Sequence, residues 1–135
     1  MSFALERQLI ETAYLAGMAT GSKIQFENVP FTAPSTGSYT RLSVLSGGEG
    51  RRVEVTAAAH ERVPGVIDVA IFILPDTGTA TIRTIADSIS SVLANKTFSS
   101  GTTVVRTYGS RLDLIGRAGS WYQANVTIRY VRDTR

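Results

Sequence analysis

At 135 residues, with 43% hydrophobic and 19% charged side chains, the chain has the composition of an ordinary globular domain and not of a disordered tail. Fourteen Lys and Arg against eleven Asp and Glu give a net charge of +3, spread along the chain with one basic doublet at Arg51-Arg52, too dilute for the dense stripe of a nucleic-acid footprint. With no cysteine, disulfides, thiolate metal sites and a cysteine nucleophile are excluded.

This length predicts one domain, residues 1–135. The first element is a helix over Phe3–Met18, with Leu5, Leu9, Ile10, Ala13 and Gly17 at spacings of three and four. Ser2 suits its N-cap and Gly21 its C-terminal end. Glu6, Arg7 and Glu11 fall mostly on the other side and leave no apolar core for a signal peptide. Lys23–Glu27 alternates as a short strand. Asn28–Pro34 follows as an extended connector, because Pro30 and Pro34 cannot sit inside a sheet. Ser35–Ser38 is a loop.

Tyr39–Leu45 and Arg51–Ala57 both alternate as strands and flank the glycine loop Ser46–Gly50, the pattern of a β-hairpin. Pro64-Gly65 marks a bend before the next strand. Val66–Leu74 is the most apolar run and reads as a central strand covered on both faces, with Asp68 its one charge. Its apolar core, Val69–Leu74, is far too short to span a membrane. After the turn Pro75–Gly78, a second helix over Thr79–Asn95 carries a clean 3.6-residue stripe of Ile82, Ile85, Ala86, Ile89, Val92 and Leu93. Phe98 opens an extended stretch broken at Gly101. Thr102–Tyr108 and Arg111–Ile115 are strands separated by Gly109-Ser110, and Gly116–Ser120 is a turn. Trp121–Val131 is the last strand, with Val126, Ile128 and Tyr130 on one face and Asn125, Thr127 and Arg129 on the other. The predicted class is α+β: a mostly antiparallel sheet with two amphipathic helices packed on one face.

No catalytic constellation emerges. His60 is the only histidine and lacks an orienting carboxylate, since neighbouring Glu61 points away in an extended segment. One histidine, no cysteine and no cluster of aspartates leave no metal site, and nothing points to a cofactor. Ser46–Arg52 lacks the Gly-Lys-Ser/Thr ending and following helix of a phosphate loop, so it reads as a hairpin tip that can act as a contact arm. Asp68 pairs with an arginine, faces solvent, or serves as an acid of raised pKa. Trp121-Tyr122 either packs or stacks on a base or sugar. Arg106, Arg111, Arg117, Arg129 and Arg132 form either a ladder for a polyanion or a solvated face with salt bridges between subunits.

The order of the segments resembles a known family. An amphipathic helix precedes Phe26-Glu27-Asn28-Val29-Pro30-Phe31, Pro34 and Tyr39–Leu45. A glycine loop, a strand ending Ile73-Leu74-Pro75 and a helix with Ala86-Asp87-Ser88-Ile89 follow, and Gly119–Val126 closes the chain. Over nearly its whole length this is similar to the tail-terminator proteins of long-tailed bacteriophages and to a related phage domain of unknown function.

The resemblance implies a structural, non-enzymatic virion protein, made in the bacterial cytoplasm and placed in the tail. Six copies form a ring that caps the tail tube, ends its polymerisation and prepares head joining. Its partners are further copies of itself, the major tail protein and head–tail connector proteins; DNA only passes through, and no membrane is involved. Candidate contacts are Pro30 and Phe31 in the connector, and Gly47, Gly48, Glu49, Gly50, Arg51 and Arg52 around the glycine loop. No long apolar stripe marks an obligate interface, so the free subunit is expected to be a monomer. Two other readings stay open: another head–tail joining component, and a small nucleic-acid-binding module resting on the basic balance and on Trp121 and Tyr122.

Overall fold

The structure, a computed structural model, describes residues 3–18, 23–34, 37–47, 51–52, 61–75 and 78–134. In chain order the elements are α1 (Phe3–Gly17), β1 (Ile24–Phe26), β2 (Tyr39–Ser46), β3 (Arg51–Arg52), β4 (Glu61–Ile73), α2 (Ala80–Leu93), β5 (Thr97–Ser100), β6 (Thr103–Ala118) and β7 (Trp121–Thr134). One sheet runs β1-β2-β4-β7-β6-β5, with β3 beside β4. Every pairing is antiparallel except β1 with β2. Both helices touch each other and the same side of the sheet, so the α+β arrangement expected from the sequence is the one found.

The strand period explains the core. In β4, Ile67, Val69, Ile71 and Ile73 point to the helices; in β7, Ala124, Val126, Ile128 and Tyr130 do. They meet the α2 stripe of Ile82, Ala86, Ile89 and Leu93, and Ile10 and Tyr14 of α1. Each fully buried Ile or Leu contributes about 1.5–3 kcal/mol. The last strand in the chain, β7, lies in the middle of the sheet between β4 and β6.

Four local expectations change. The hairpin partner of β2 is β4, not the segment after the glycine loop: Leu42 pairs with Val69 and Val44 with Ile67, which joins the inward apolar positions of both strands. Of the expected return strand, Arg51 and Arg52 pair with Arg62 and Glu61, and residues 53–57 lie outside the described residues. β4 begins at Glu61 and runs through Pro64-Gly65. Pro64 is tolerated because its carbonyl accepts from Gly47 N (2.8 Å) on the β2 side, so its missing N–H faces the place where β2 ends. Gly65 is needed for space, since Tyr130 of β7 lies across it and a Cβ would collide with that ring.

β6 is one long strand, not two. The extra residues at Gly109 and Ile115 are taken up as register shifts between Thr107 and Ser110 and between Leu114 and Gly116. The turn to β7 shrinks to Gly119-Ser120, with Gly119 at φ +61°, a backbone conformation that suits glycine at the first position of a tight hairpin. The fourth change concerns α1, whose inward face carries Glu6 as well as Ile10 and Tyr14. Ser2 and Gly21, the expected caps, lie outside the described residues. No helix among the described residues is long and apolar enough to cross a membrane.

Candidate assembly surfaces

The sheet face away from the helices carries several paired charges. Its strongest cluster joins three strands: Arg62 donates to Asp133 (2.7 and 3.2 Å) and Arg106 donates to the same carboxylate (2.8 Å). The Asp133 carboxylate holds the Arg62 guanidinium above its ordinary range. Arg111 donates to Asp113 on β6 (3.2 Å). Asp68 is half-buried here; burial pushes its carboxyl above the usual range, and the charge of Arg41 opposes that shift. Of the readings left open for Asp68, both a raised carboxyl and a nearby arginine charge are present.

At one end of this face the connector folds down onto the sheet. The Phe31 ring lies 5.2 Å from Tyr39, Tyr39 stacks on Phe72 at 4.6 Å, and Trp121 meets Tyr39 edge-on at 5.1 Å. Arg41 sits 5.4 Å over Phe72. These layers bury Phe72 and its neighbour Ala70 without any helix above them. Aromatic pairs of this kind add about 0.5–1.5 kcal/mol beyond their buried area. Phe31, proposed from sequence as a contact, therefore spends at least part of its surface inside its own subunit, while Pro30 is exposed. Trp121 is a packing residue, and Tyr122 packs against the core on the other face.

The two sheet edges differ. On one, Glu27 accepts from Val44 N (2.8 Å), capping a donor that β1 is too short to reach. On the other, β5 pairs with β6 only from Thr103 to Arg106, and backbone bonds from Asn95 and Thr107 extend the cover to Tyr108. Residues 109–118 of β6 pair with β7 alone among the described strands, so their outer edge is open. Leu114 and Ile115 on this stretch are 42% and 57% exposed. Exposed apolar residues on an unpaired edge are what natural sheets ordinarily avoid. On the helix side, at the opposite edge, α1 and the β1 segment form a groove of about 270 Å³ lined by Arg7, Glu11, Thr12, Leu15, Phe26 and Val29. Leu15 and Val29 are 62% and 52% exposed.

A buried ionic knot ties the first helix to the last strand. Arg132 Nε donates to Glu6 Oε1 at 3.4 Å, Ser46 Oγ donates to Glu6 Oε2 at 2.6 Å, and Arg132 Nη1 donates to Thr134 Oγ1 at 2.7 Å. Glu61 lies 3.7 Å from Arg132 Nη2, and the Phe3 ring sits 5.1 Å from the guanidinium carbon. Arg132 is fully buried and Glu6 nearly so. Burial, then the nearby Glu6 carboxylate, push the Tyr130 phenol above its ordinary value. Burial raises the Tyr14 phenol to about 12 while its hydroxyl bonds Thr40 Oγ1 at 2.7 Å. Both phenols therefore stay neutral near pH 7.

The five C-terminal arginines do not form one ladder. Arg132 is inside, Arg106 and Arg111 are each held by an aspartate, Arg129 is exposed on the open face, and Arg117 stands at the β6 tip. Gly47 is exposed and bonds Pro64; Gly48, Glu49, Gly50 and His60 lie outside the described residues, as do the side chains of Arg51 and Arg52. Among the described residues no group of three His, Cys, Asp or Glu gathers as metal ligands would. Sequence reasoning missed Leu114 and Ile115; splitting β6 in two hid the open edge they occupy.

A solved structure of another protein matches at 21% identity with a TM-score of 0.74, covering 100% of this chain and 96% of that one, which supports the fold. The search of curated proteins gave no match. A family described as "Phage tail terminator protein" matches residues 1–130. This near-complete match agrees with the resemblance read from the sequence: the chain belongs to the phage tail terminator protein family.

Proposed function

We propose that this protein ends the phage tail. Copies close into a hexameric ring on the head-proximal end of the tube, stop its polymerisation and present the surface to which the head joins, with the genome passing through the centre unread. The family match over residues 1–130 carries this reading. The subunit's physical character supports it, because a ring is a closed set of head-to-tail contacts and needs two different patches on each copy. The open β6 edge and the groove beside α1 are two such patches.

On this reading the protein is non-enzymatic and is carried in the virion. It is made in the host cytoplasm as a monomer, and it partners the major tail protein and head–tail connectors. The glycine loop and the Pro30-Phe31 connector serve as contact arms. The test is a stop codon early in the gene, with the products of infection viewed by electron microscopy. The expected outcome is tails of uncontrolled length without heads; tails of normal length joined to heads overturn the proposal. Deleting Gly47 to Arg51 is expected to leave the fold intact and block tail completion, and normal completion would remove the loop from the mechanism.

A further inference from the structure

The open edge of β6 has a local symmetry of its own. The register shifts between Thr107 and Ser110 and between Leu114 and Gly116 bracket one regular stretch, Ser110–Leu114, with Leu112 at its middle. The direction of its backbone groups follows from the hydrogen bonds around it. Thr107 N donates to Lys96 O at 2.8 Å, so Thr107 turns its groups away from β7, and Tyr130 opposite it turns its own toward β4. Gly47 N donating to Pro64 O gives the same phase from the far side, since Gly65 then faces Tyr130. Counting in twos along β7, Ile128, Val126 and Ala124 also face β4. Their partners Ser110, Leu112 and Leu114 are left with N–H and C=O groups pointing out of the sheet edge, where no other described strand pairs with them.

We propose that a second copy covers this edge, β6 against β6 in antiparallel sense about a two-fold axis at Leu112. Outward groups must meet outward groups, so Ser110, Leu112 and Leu114 pair among themselves. Centred on Arg111, such a register opposes two arginines; centred on Asp113, it opposes two aspartates. Centred on Leu112, it sets Arg111 of each copy across from Asp113 of the other, Leu112 against Leu112 and Ser110 against Leu114. Charge therefore selects the same centre as the bulges do. In the single chain Arg111 reaches Asp113 of its own strand at 3.2 Å, both side chains exposed, and pairing turns these into an alternating square of charges. On the helix side α2 stands back from the edge across a groove of about 280 Å³, lined by Arg83, Ala86, Asp87, Ser90, Leu112 and Val126, which leaves room for the inward side chains of an added strand. Leu114, 42% exposed in the single chain, comes under that strand. A contact this short is weak and reversible, so the chain is a monomer when dilute and pairs as it accumulates. The pairing belongs to the free chain and stands whether or not copies later close into a ring. Because this edge is also one of the patches assigned to the ring, a paired copy is kept out of ring closure.

The test uses the free full-length protein. Sedimentation equilibrium over a concentration series is expected to show monomer giving way to dimer. In the same series, amide hydrogen exchange followed by NMR should slow at Ser110, Leu112 and Leu114 as concentration rises, while Arg111 and Asp113, bonded to β7, stay as they were. Arg111→Asp and Asp113→Arg should each weaken pairing about tenfold, since symmetry removes both ion pairs and sets like charges opposite, with melting midpoints unchanged. The double swap Arg111→Asp/Asp113→Arg sets opposite charges across the axis again and should restore pairing. A chain that stays single at millimolar concentration overturns the proposal, as does a dimer in which the amides of Ser110, Leu112 and Leu114 exchange no more slowly. A double swap that pairs no more tightly than the single swaps also overturns it. None of these results touches the tail phenotype, which tests the ring reading on its own.

Discussion

Replacing Glu6 with Gln keeps the side chain's shape and removes its charge, leaving Arg132 as a fully buried cation. The nearest remaining acid is Glu61, 3.7 Å from Nη2 and 40% exposed, a weak substitute for a buried counter-ion. Breaking a buried pair by removing one partner costs about 3–5 kcal/mol, because the other is left uncompensated in a low dielectric. Domains of ordinary stability have only about 5–15 kcal/mol in total. At 135 residues each kcal/mol moves the midpoint by about 3.5 °C, so Glu6→Gln should melt about 10–18 °C lower.

The double variant Glu6→Gln/Arg132→Met removes both charges and should recover most of that loss. Replacing a whole buried pair with apolar groups is often neutral or better. Thermal unfolding followed by circular dichroism, with urea titration, of the parent, Glu6→Gln, Arg132→Met and the double variant closes the cycle. A drop below about 4 °C for Glu6→Gln, or a double variant no better than the worse single, would show that Glu6 is not the counter-ion of Arg132.

Gly65→Ala should cost about 1–3 kcal/mol, because the new methyl drives Tyr130 from its seat, and the cost should largely vanish in a Tyr130→Ala background; urea midpoints measure both. Ile89→Ala, at the centre of the α2 stripe, should cost about 2–5 kcal/mol in the same titration, with the helix content of the folded baseline unchanged. For Asp68 the sign follows from a folded pKa raised above the unfolded one: the native state holds the proton more tightly, so this group's contribution falls as pH rises through the folded value. Asp68→Asn should therefore melt higher than the parent near pH 7, with the gain fading as melts are repeated below about pH 4. Tyr14→Phe strands the Thr40 hydroxyl in the core and should cost about 1 kcal/mol by thermal unfolding.

The helices and the middle of the sheet were readable because their patterns are period signals that packing enforces. The α2 stripe, the apolar run of β4 and the alternation of β7 each place the buried residues where the structure does. What failed was pairing. Strand, glycines, strand looks the same whether the flanking strands pair with each other or with a third, and only the fit of Leu42 to Val69 and Val44 to Ile67 decides.

Glu6 was misplaced because charge outranked geometry in the reading of α1. Extending the β7 alternation one step past Tyr130 puts Arg132 inside, which calls for a buried acid somewhere. Of the proposed contacts, Phe31 is half-buried against Tyr39, a tertiary neighbour that no local pattern announces. The open edge at Leu114 and Ile115 was concealed by treating Gly109-Ser110 as a break; a bulge and a break carry the same residues and differ only in what lies alongside.

The place of β7 sets a timetable for the newborn chain. Both of its neighbours, β4 and β6, leave the ribosome before it, and until Trp121–Thr134 follows they have nothing to join them. Closing the distant pairings of β7 with β4 is slow by the standards of small domains. A truncated product lacking this strand would therefore be left as an open, sticky fragment for proteases, and would never reach a tail in a half-made form.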